Sequence, residues 1–228
     1  LKLILKEEVK TVDYIKEFEL NDVSGCCFIK FEGVYKNISV FVNGCLVKQH
    51  SNGYTPFNID ISPFVKIGKN SIKVLVRNGV PSSRWYTGTG IYRDVWMYTG
   101  GNVFIEPDSI KITTLQADSK VAVLQIKTVI VNRNNSIIKT SLIHKIATNE
   151  TVTPVTLMPN EKKEINIRME VDSPILWDTD TPFLYECQTE IKNYDCEKNV
   201  FGIRALSLDT KRGLCINGKS IKLRGGCI

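Results

Sequence analysis

Along most of this chain hydrophobic and polar positions alternate with a period of two, the spacing of a strand that buries one face. Ile165, Ile167, Met169 and Val171 alternate with Asn166, Arg168 and Glu170, and Ile72, Val74 and Val76 alternate with Lys73, Leu75 and Arg77. Residues 121–131 are rich in β-branched side chains and carry apolar residues on both parities, which predicts a central strand covered on both faces. Further strands are predicted at 26–31, 38–42, 57–61, 91–98, 136–146 and 184–191. Helical periodicity is almost absent.

Turn chemistry joins these runs. Asn43-Gly44 and Asn217-Gly218 each stand between two strand-like segments, the second pair between residues 214–216 and 221–223. Such pairs form type I′ hairpin turns, which require positive φ at both central positions. Residues 78–89 predict a long loop. Near Gly100-Gly101 the composition changes: aromatic and glycine residues are frequent before it, while Ile and Thr dominate after it until Trp177. Many short strands with such turns predict sandwiches, and the stretch beyond the boundary has the size of an immunoglobulin-like domain. It lacks a cysteine pair flanking a tryptophan.

Composition narrows the classes further. A hydrophobic share of 43% with 24% charged residues describes a folded chain of 228 residues. No apolar run is long enough to span a bilayer, and residues 1–8 turn charged too early for a signal peptide. The net charge of +6 arises from lysines interleaved with acids, as in Lys6-Glu7-Glu8 and Glu161-Lys162-Lys163-Glu164. Nucleic-acid binding would gather cations on one face, so no nucleic-acid partner is expected. Seven cysteines (Cys26, Cys27, Cys45, Cys187, Cys196, Cys215 and Cys227) contain no Cys-x-x-Cys pair, and only His50 and His144 accompany them. The expectation is free thiols, no metal and no cofactor, with a lean towards the reducing cytoplasm.

Three groups of residues carry a family resemblance. The first is Phe31-Glu32-Gly33-Val34, Val40-Phe41-Val42-Asn43-Gly44, Gly53-Tyr54-Thr55-Pro56-Phe57, Asp60-Ile61 and Gly68-Lys69-Asn70. The second runs from Arg84-Trp85-Tyr86 through Gly88-Thr89-Gly90-Ile91-Tyr92-Arg93-Asp94-Val95. The third joins Trp177, Pro182-Phe183-Leu184-Tyr185 and Phe201-Gly202-Ile203-Arg204 to Gly213, Asn217-Gly218-Lys219 and Leu223-Arg224-Gly225. In this order they resemble glycoside hydrolases of family 2, which include β-galactosidases, β-glucuronidases and β-mannosidases.

The resemblance implies an all-β chain, a jelly-roll (galactose-binding-like) sandwich at 1–100 followed by an immunoglobulin-like β-sandwich at 101–204. Residues 205–228 would lead into a catalytic (β/α)8 barrel that is absent. Residues 14–18 are similar to the family's second or third strand, so the opening strands of the jelly roll are expected to be missing or shortened. The parent would be a retaining β-galactosidase, homo-oligomeric and acting on carbohydrate, with both catalytic glutamates in its barrel. Arg84, Trp85 and Tyr86 are the candidate substrate contacts, on a loop (82–90) that leans over the barrel mouth in this family. Some members place a carboxylate there, where this chain has Ser82, Ser83 and Arg84. The alternative for Trp85 and Tyr86 is a packed loop.

No catalytic residue is expected within the chain. A retaining pair needs two carboxyl groups about 5–5.5 Å apart, across the scissile bond, with separated pKa values. Asp178 and Asp180, just before Thr181-Pro182, look like turn formers instead, and His144 like an ordinary strand residue. Competing functions are a free-standing carbohydrate-binding module or lectin, a β-glucuronidase or β-mannosidase relative, and a structural sandwich pair.

Overall fold

A computed structural model describes residues 8–80 and 88–226. They form twenty strands and one short 3-10 turn, Ser62–Phe64, and the chain divides into two compact units at Gly101/Asn102.

The first unit comprises β1 (Glu8–Leu20), β2 (Cys26–Phe31), β3 (Val34–Tyr35), β4 (Ile38–Val42) and β5 (Cys45–His50). It continues with β6 (Phe57–Asp60), β7 (Gly68–Val80), β8 (Gly90–Ile91) and β9 (Val95–Gly100). One sheet has the order β1-β7-β4-β5, a second β6-β2-β9, and β3 pairs with β8. Alternate residues point between the two larger sheets, as the pleat requires: Ile29 and Phe31, Ile38, Val40 and Val42, Ile59 and Ile61, Val74 and Val76 form one core. The Phe31 and Phe57 rings stack within it at 5.1 Å. The Asn43-Gly44 hairpin forms as expected, with φ of 48° and 84°.

Two sequence expectations need correction here. Residues 91–98 are two strands, because the amides of Tyr92 and Arg93 both donate to the Gly33 carbonyl and turn the chain before β9 starts. Residues 78–80 belong to β7 and not to the loop, since β1 pairs with them through Glu8, Val9 and Lys10.

A buried polar cluster ties the hairpin to the chain entering β7. Asn70, only 2% exposed, accepts from the Lys66 amide (2.9 Å) and from Asn43 Nδ2 (2.8 Å) at Oδ1. Its Nδ2 donates to the carbonyls of Lys66 (2.7 Å) and Gly68 (2.9 Å). Asn43 adds a bond from Nδ2 to the Phe64 carbonyl and accepts the Ser71 amide.

The second unit begins with β10 (Val103–Ile105), β11 (Lys111–Ala117), β12 (Val121–Asn132), β13 (Ile138–Ile146) and β14 (Asn149–Leu157). Then come β15 (Lys162–Asp172), β16 (Tyr185–Ile191), β17 (Asp195–Phe201), β18 (Leu206–Asp209), β19 (Gly213–Ile216) and β20 (Lys219–Ser220). In one sheet β12 is central, with β15 along one side and β10 and β11 along the other. The facing sheet has the order β14-β13-β16-β17, and β18-β19-β20 form a small third sheet. β12 is central, as the β-branched run implies, but only one face is fully covered: Ala122, Leu124, Ile126 and Ile130 are buried there, while on the other Val129 is buried and Gln125 and Lys127 point outward half-buried. The expected strand at 221–223 is also absent, because the pairing of β19 ends at Ser220 apart from one bond from the Ile221 amide to Leu214.

The core of this unit is split. Ala122, Leu124, Ile126, Ile146 and Cys187 belong to one apolar cluster, and Ile130, Leu142, Leu157 and Ile191 to another. Between them lie Thr128, His144 and Thr189, all fully buried. His144 stands opposite Thr189 in the ladder, and its Nε2 is 3.1 Å from Thr128 Oγ1, while Nδ1 has no partner. Burial pushes the imidazole pKa down to about 4.

None of the six described cysteines forms a disulfide; Cys26, Cys27, Cys187 and Cys215 are buried, and Cys45 and Cys196 are exposed. Burial raises the Cys27 thiol to about 11, leaving almost no thiolate at neutral pH.

Candidate functional site

Arg84, Trp85 and Tyr86, with Ser82 and Ser83, lie outside the described residues. What the structure shows is a wall that includes the residues following them in sequence. Tyr35, Tyr54, Gly88, Thr89, Gly90, Ile91 and Tyr92 line a pocket of about 280 Å³.

Local sequence explains how this wall is built. β3 and β8 pair Val34 with Ile91 and Tyr35 with Gly90, which brings residue 35 beside residues 90–92. Gly90 has φ of 129°, and a Cβ there would lie 2.2 Å from Tyr14 Oη. Only glycine fits both conditions. The Tyr14 hydroxyl then accepts the Ile91 amide at 3.3 Å. Glycine also provides the room for two rings: a Cβ on Gly33 would meet Tyr92 at 2.6 Å, and one on Gly53 would meet Tyr35 at 2.2 Å. The Tyr92 hydroxyl donates to the Gly53 carbonyl (2.8 Å), and the Tyr35 and Tyr54 rings meet edge-on at 5.4 Å. Asn52 Oδ1 accepts the amides of Tyr54 (2.8 Å) and Thr55 (3.3 Å), setting the turn that presents Tyr54. Behind the pocket, buried Asn78 donates to Thr89 Oγ1 at 3.1 Å.

Tyr54 is 56% and Tyr92 49% exposed, so their faces are open to a ligand. Lys36 Nζ lies 5.3 Å from the Tyr35 ring centre and the Arg93 guanidinium 5.7 Å from that of Tyr92. Apolar ring faces next to hydrogen-bonding groups suit a sugar, whose rings have apolar faces and polar rims. No carboxylate lines the pocket among the described residues, so it can hold a ligand but supplies no acid–base pair. Tyr35, Tyr54 and Tyr92 were not singled out from the sequence as site residues. The signal available was spacing, since Gly33, Gly53 and Gly90 each precede a tyrosine by one or two positions.

The third motif group forms a structural knot in the second unit. The Trp177 amide donates to the Ile203 carbonyl (2.8 Å), Gly202 lies against the indole, and the Arg204 guanidinium sits 4.7 Å over its ring. Asn217 Nδ2 donates to the Trp177 carbonyl (3.1 Å), and its Oδ1 accepts the Ala205 amide (2.9 Å). Asp178 Oδ1 accepts the amides of Asp180 (2.9 Å) and Thr181 (2.7 Å). Those backbone bonds hold its carboxyl below the usual aspartate range, which is the signature of a turn former.

Residues 4–101 match the profile described as the sugar binding domain of glycosyl hydrolases family 2, and residues 103–204 match glycosyl hydrolases family 2 itself. The chain belongs to glycosyl hydrolase family 2. Its all-β architecture is the family's jelly-roll sandwich followed by an immunoglobulin-like one. A similar family 2 protein is a beta-galactosidase of Bacteroides ovatus, 34% identical over 94% of this chain and 27% of its own length. A beta-glucuronidase of Formosa agariphila is 27% identical over 94% of this chain and 25% of its own. The chain thus spans about a quarter of these relatives. Among solved structures, a family 2 member from Bacteroides cellulosilyticus superimposes with a TM-score of 0.88 at 34% identity, covering 96% of this chain and 32% of that one. The Bacteroides uniformis beta-glucuronidase gives 0.85 at 26% identity, covering 94% and 29%.

Proposed function

We propose that this chain is the non-catalytic N-terminal part of a retaining β-galactosidase and that its first unit contributes an aromatic wall to the sugar site. The observation that carries this is the tyrosine pocket at the end of the 82–90 loop. In this reading Arg84, Trp85 and Tyr86 extend the wall and the catalytic glutamates lie in a barrel entered through residues 205–228. The second unit serves as spacer and as a surface for assembly into an oligomer. The isolated chain is expected to give no turnover of aryl β-galactosides above a buffer blank.

In the complete enzyme Trp85→Ala should lower kcat/KM roughly tenfold, or about 1.4 kcal/mol of lost interaction, with little change in melting of the chain. If Trp85 is packed instead, the chain should lose about 3–5 kcal/mol and the kinetics per folded molecule should be normal. A second reading, a β-glucuronidase, is favoured by the similar proteins of that name from Formosa agariphila and Bacteroides uniformis. Comparing kcat/KM on nitrophenyl β-galactoside and β-glucuronide decides between them; a preference for the glucuronide overturns the galactosidase assignment.

A further inference from the structure

Four Asn-Gly pairs occur in the chain, beginning at Asn43, Asn52, Asn78 and Asn217. The dipeptide is chemically labile, because glycine carries no Cβ to keep its amide nitrogen away from the preceding side chain. For that reaction to run, the asparagine Nδ2 must be free to leave and the backbone free to bring nitrogen and Cγ together. The fold denies this to three of the pairs. Asn43 Nδ2 donates to the Phe64 carbonyl and to Asn70 Oδ1, and its Oδ1 accepts the Ser71 amide. Asn78 is fully buried, donates to Thr89 Oγ1 and lies in β7, where Gly79 pairs with Val9. Asn217 is held at both ends of its side-chain amide, by the Trp177 carbonyl and the Ala205 amide.

Asn52 differs on each count. It is exposed and stands with Gly53 outside any strand, between β5 and β6. Among the described residues nothing holds its Nδ2. Its Oδ1 takes the amides of Tyr54 and Thr55, at 2.8 and 3.3 Å. Two backbone donors on that oxygen draw charge from Cγ and stabilise the oxyanion that forms when a nucleophile adds there. One local turn thus combines a free leaving group, a glycine nitrogen and a polarised carbon.

We propose that Asn52 is a site of spontaneous deamidation, and that the isoaspartyl product rebuilds the wall of the tyrosine pocket. Hydroxide takes the Gly53 amide proton, and the nitrogen attacks Asn52 Cγ. The Cγ–Nδ2 bond breaks, Nδ2 leaves as ammonia with a proton from water, hydroxide is regenerated and a cyclic imide remains. Water then opens either carbonyl of the ring, to aspartate or to isoaspartate. Aspartate keeps the acceptor for Tyr54 and Thr55. Isoaspartate instead inserts the Cβ of residue 52 into the main chain directly ahead of Gly53. That glycine has no room to move: a Cβ on it would meet the Tyr35 ring at 2.2 Å, and its carbonyl accepts the Tyr92 hydroxyl. A longer main chain at this point therefore displaces the contacts of Tyr35, Tyr54 and Tyr92 together. The reaction needs only the turn and water, and not a sugar.

Ageing of the folded chain in mildly alkaline buffer, followed by peptide mapping that resolves aspartate from isoaspartate, tests this. Asn52 is expected to convert at least about fivefold faster than Asn43, Asn78 or Asn217, the rate equivalent of one hydrogen bond of about 1 kcal/mol. Conversion at any other pair as fast as at Asn52, or none at Asn52, overturns the site. In denaturant the four pairs should react at closely similar rates; the same ranking there would trace the selectivity to local sequence and overturn the role given to the fold. Asn52→Ser keeps an oxygen for the two amides but cannot form the imide. The near-ultraviolet circular dichroism of the tyrosines should change as the parent ages and stay constant in that variant. An unchanged spectrum in the aged parent, or an equal change in the variant, overturns the effect on the pocket.

Discussion

Asn70→Ala is expected to be among the most damaging single substitutions in the first unit, costing about 3 kcal/mol. The side chain is buried and makes four hydrogen bonds, two accepted and two donated, all to groups that hold the β4–β5 hairpin against the entry to β7. Removing it takes one acceptor from Asn43 Nδ2, which keeps its bond to the Phe64 carbonyl, and removes the side-chain partner of the Lys66 amide and of two carbonyls. For a unit of this size the loss corresponds to a fall in melting temperature of roughly 12–24 °C. Asn70→Asp separates hydrogen bonding from shape. The new side chain has the same outline but sets a carboxylate oxygen against the carbonyls of Lys66 and Gly68, so it should be at least as destabilising. If the Asn70→Asp chain melts like the parent, the bonds contribute little.

The second large effect is a loss of stability on mild acidification, originating at His144. The imidazole is neutral in the folded chain because burial holds its pKa at about 4, against an ordinary value of about 6.5. Between those values the unfolded chain binds a proton that the folded chain does not, so stability falls as pH drops through this window. The full difference of about 2.5 pH units corresponds to roughly 3 kcal/mol, reached near pH 4. Denaturant unfolding at pH 7, 5.5 and 4.5 should show the decline. The double variant His144→Leu with Thr128→Val removes the imidazole and the hydroxyl bonded to it, and should flatten the profile over the same range. An unchanged slope in that variant would place the titrating group elsewhere.

The elements most legible from sequence were those whose signal is local. Strand β4 and the alternating parts of β7 and β15 announce themselves because a pleat with one buried face imposes a period of two. The Asn-Gly turns are read from backbone chemistry alone. The reading of β12 went astray where it depended on what lies outside the strand. β-branched residues suit a half-buried face as well as a buried one, and Gln125 and Lys127 were the better guide to the open side. The split of 91–98 was hidden for a different reason: the Gly33 carbonyl that turns residues 92–93 lies far away along the chain. For the candidate site, the residues named from the sequence lie outside the described ones, and the motifs did not disclose the tyrosine wall. Gly33, Gly53 and Gly90 acquire their meaning only when Tyr92, Tyr35 and Tyr14 lie against them.

The polar layer in the second unit has a consequence for strand alignment. A slip of β13 by one residue along β16 is forbidden by alternation, since it would turn the buried face to water. A slip by two residues passes that test, because every side chain keeps its face. It would carry His144 away from Thr128 and Thr189 and set it opposite Cys187 or Ile191, in an apolar cluster that offers its nitrogens nothing. Leu142 or Ile146 would in turn be driven between the two threonines. The layer therefore supplies phase information that the hydrophobic pattern lacks, working as a key cut at one position along an otherwise repetitive ladder.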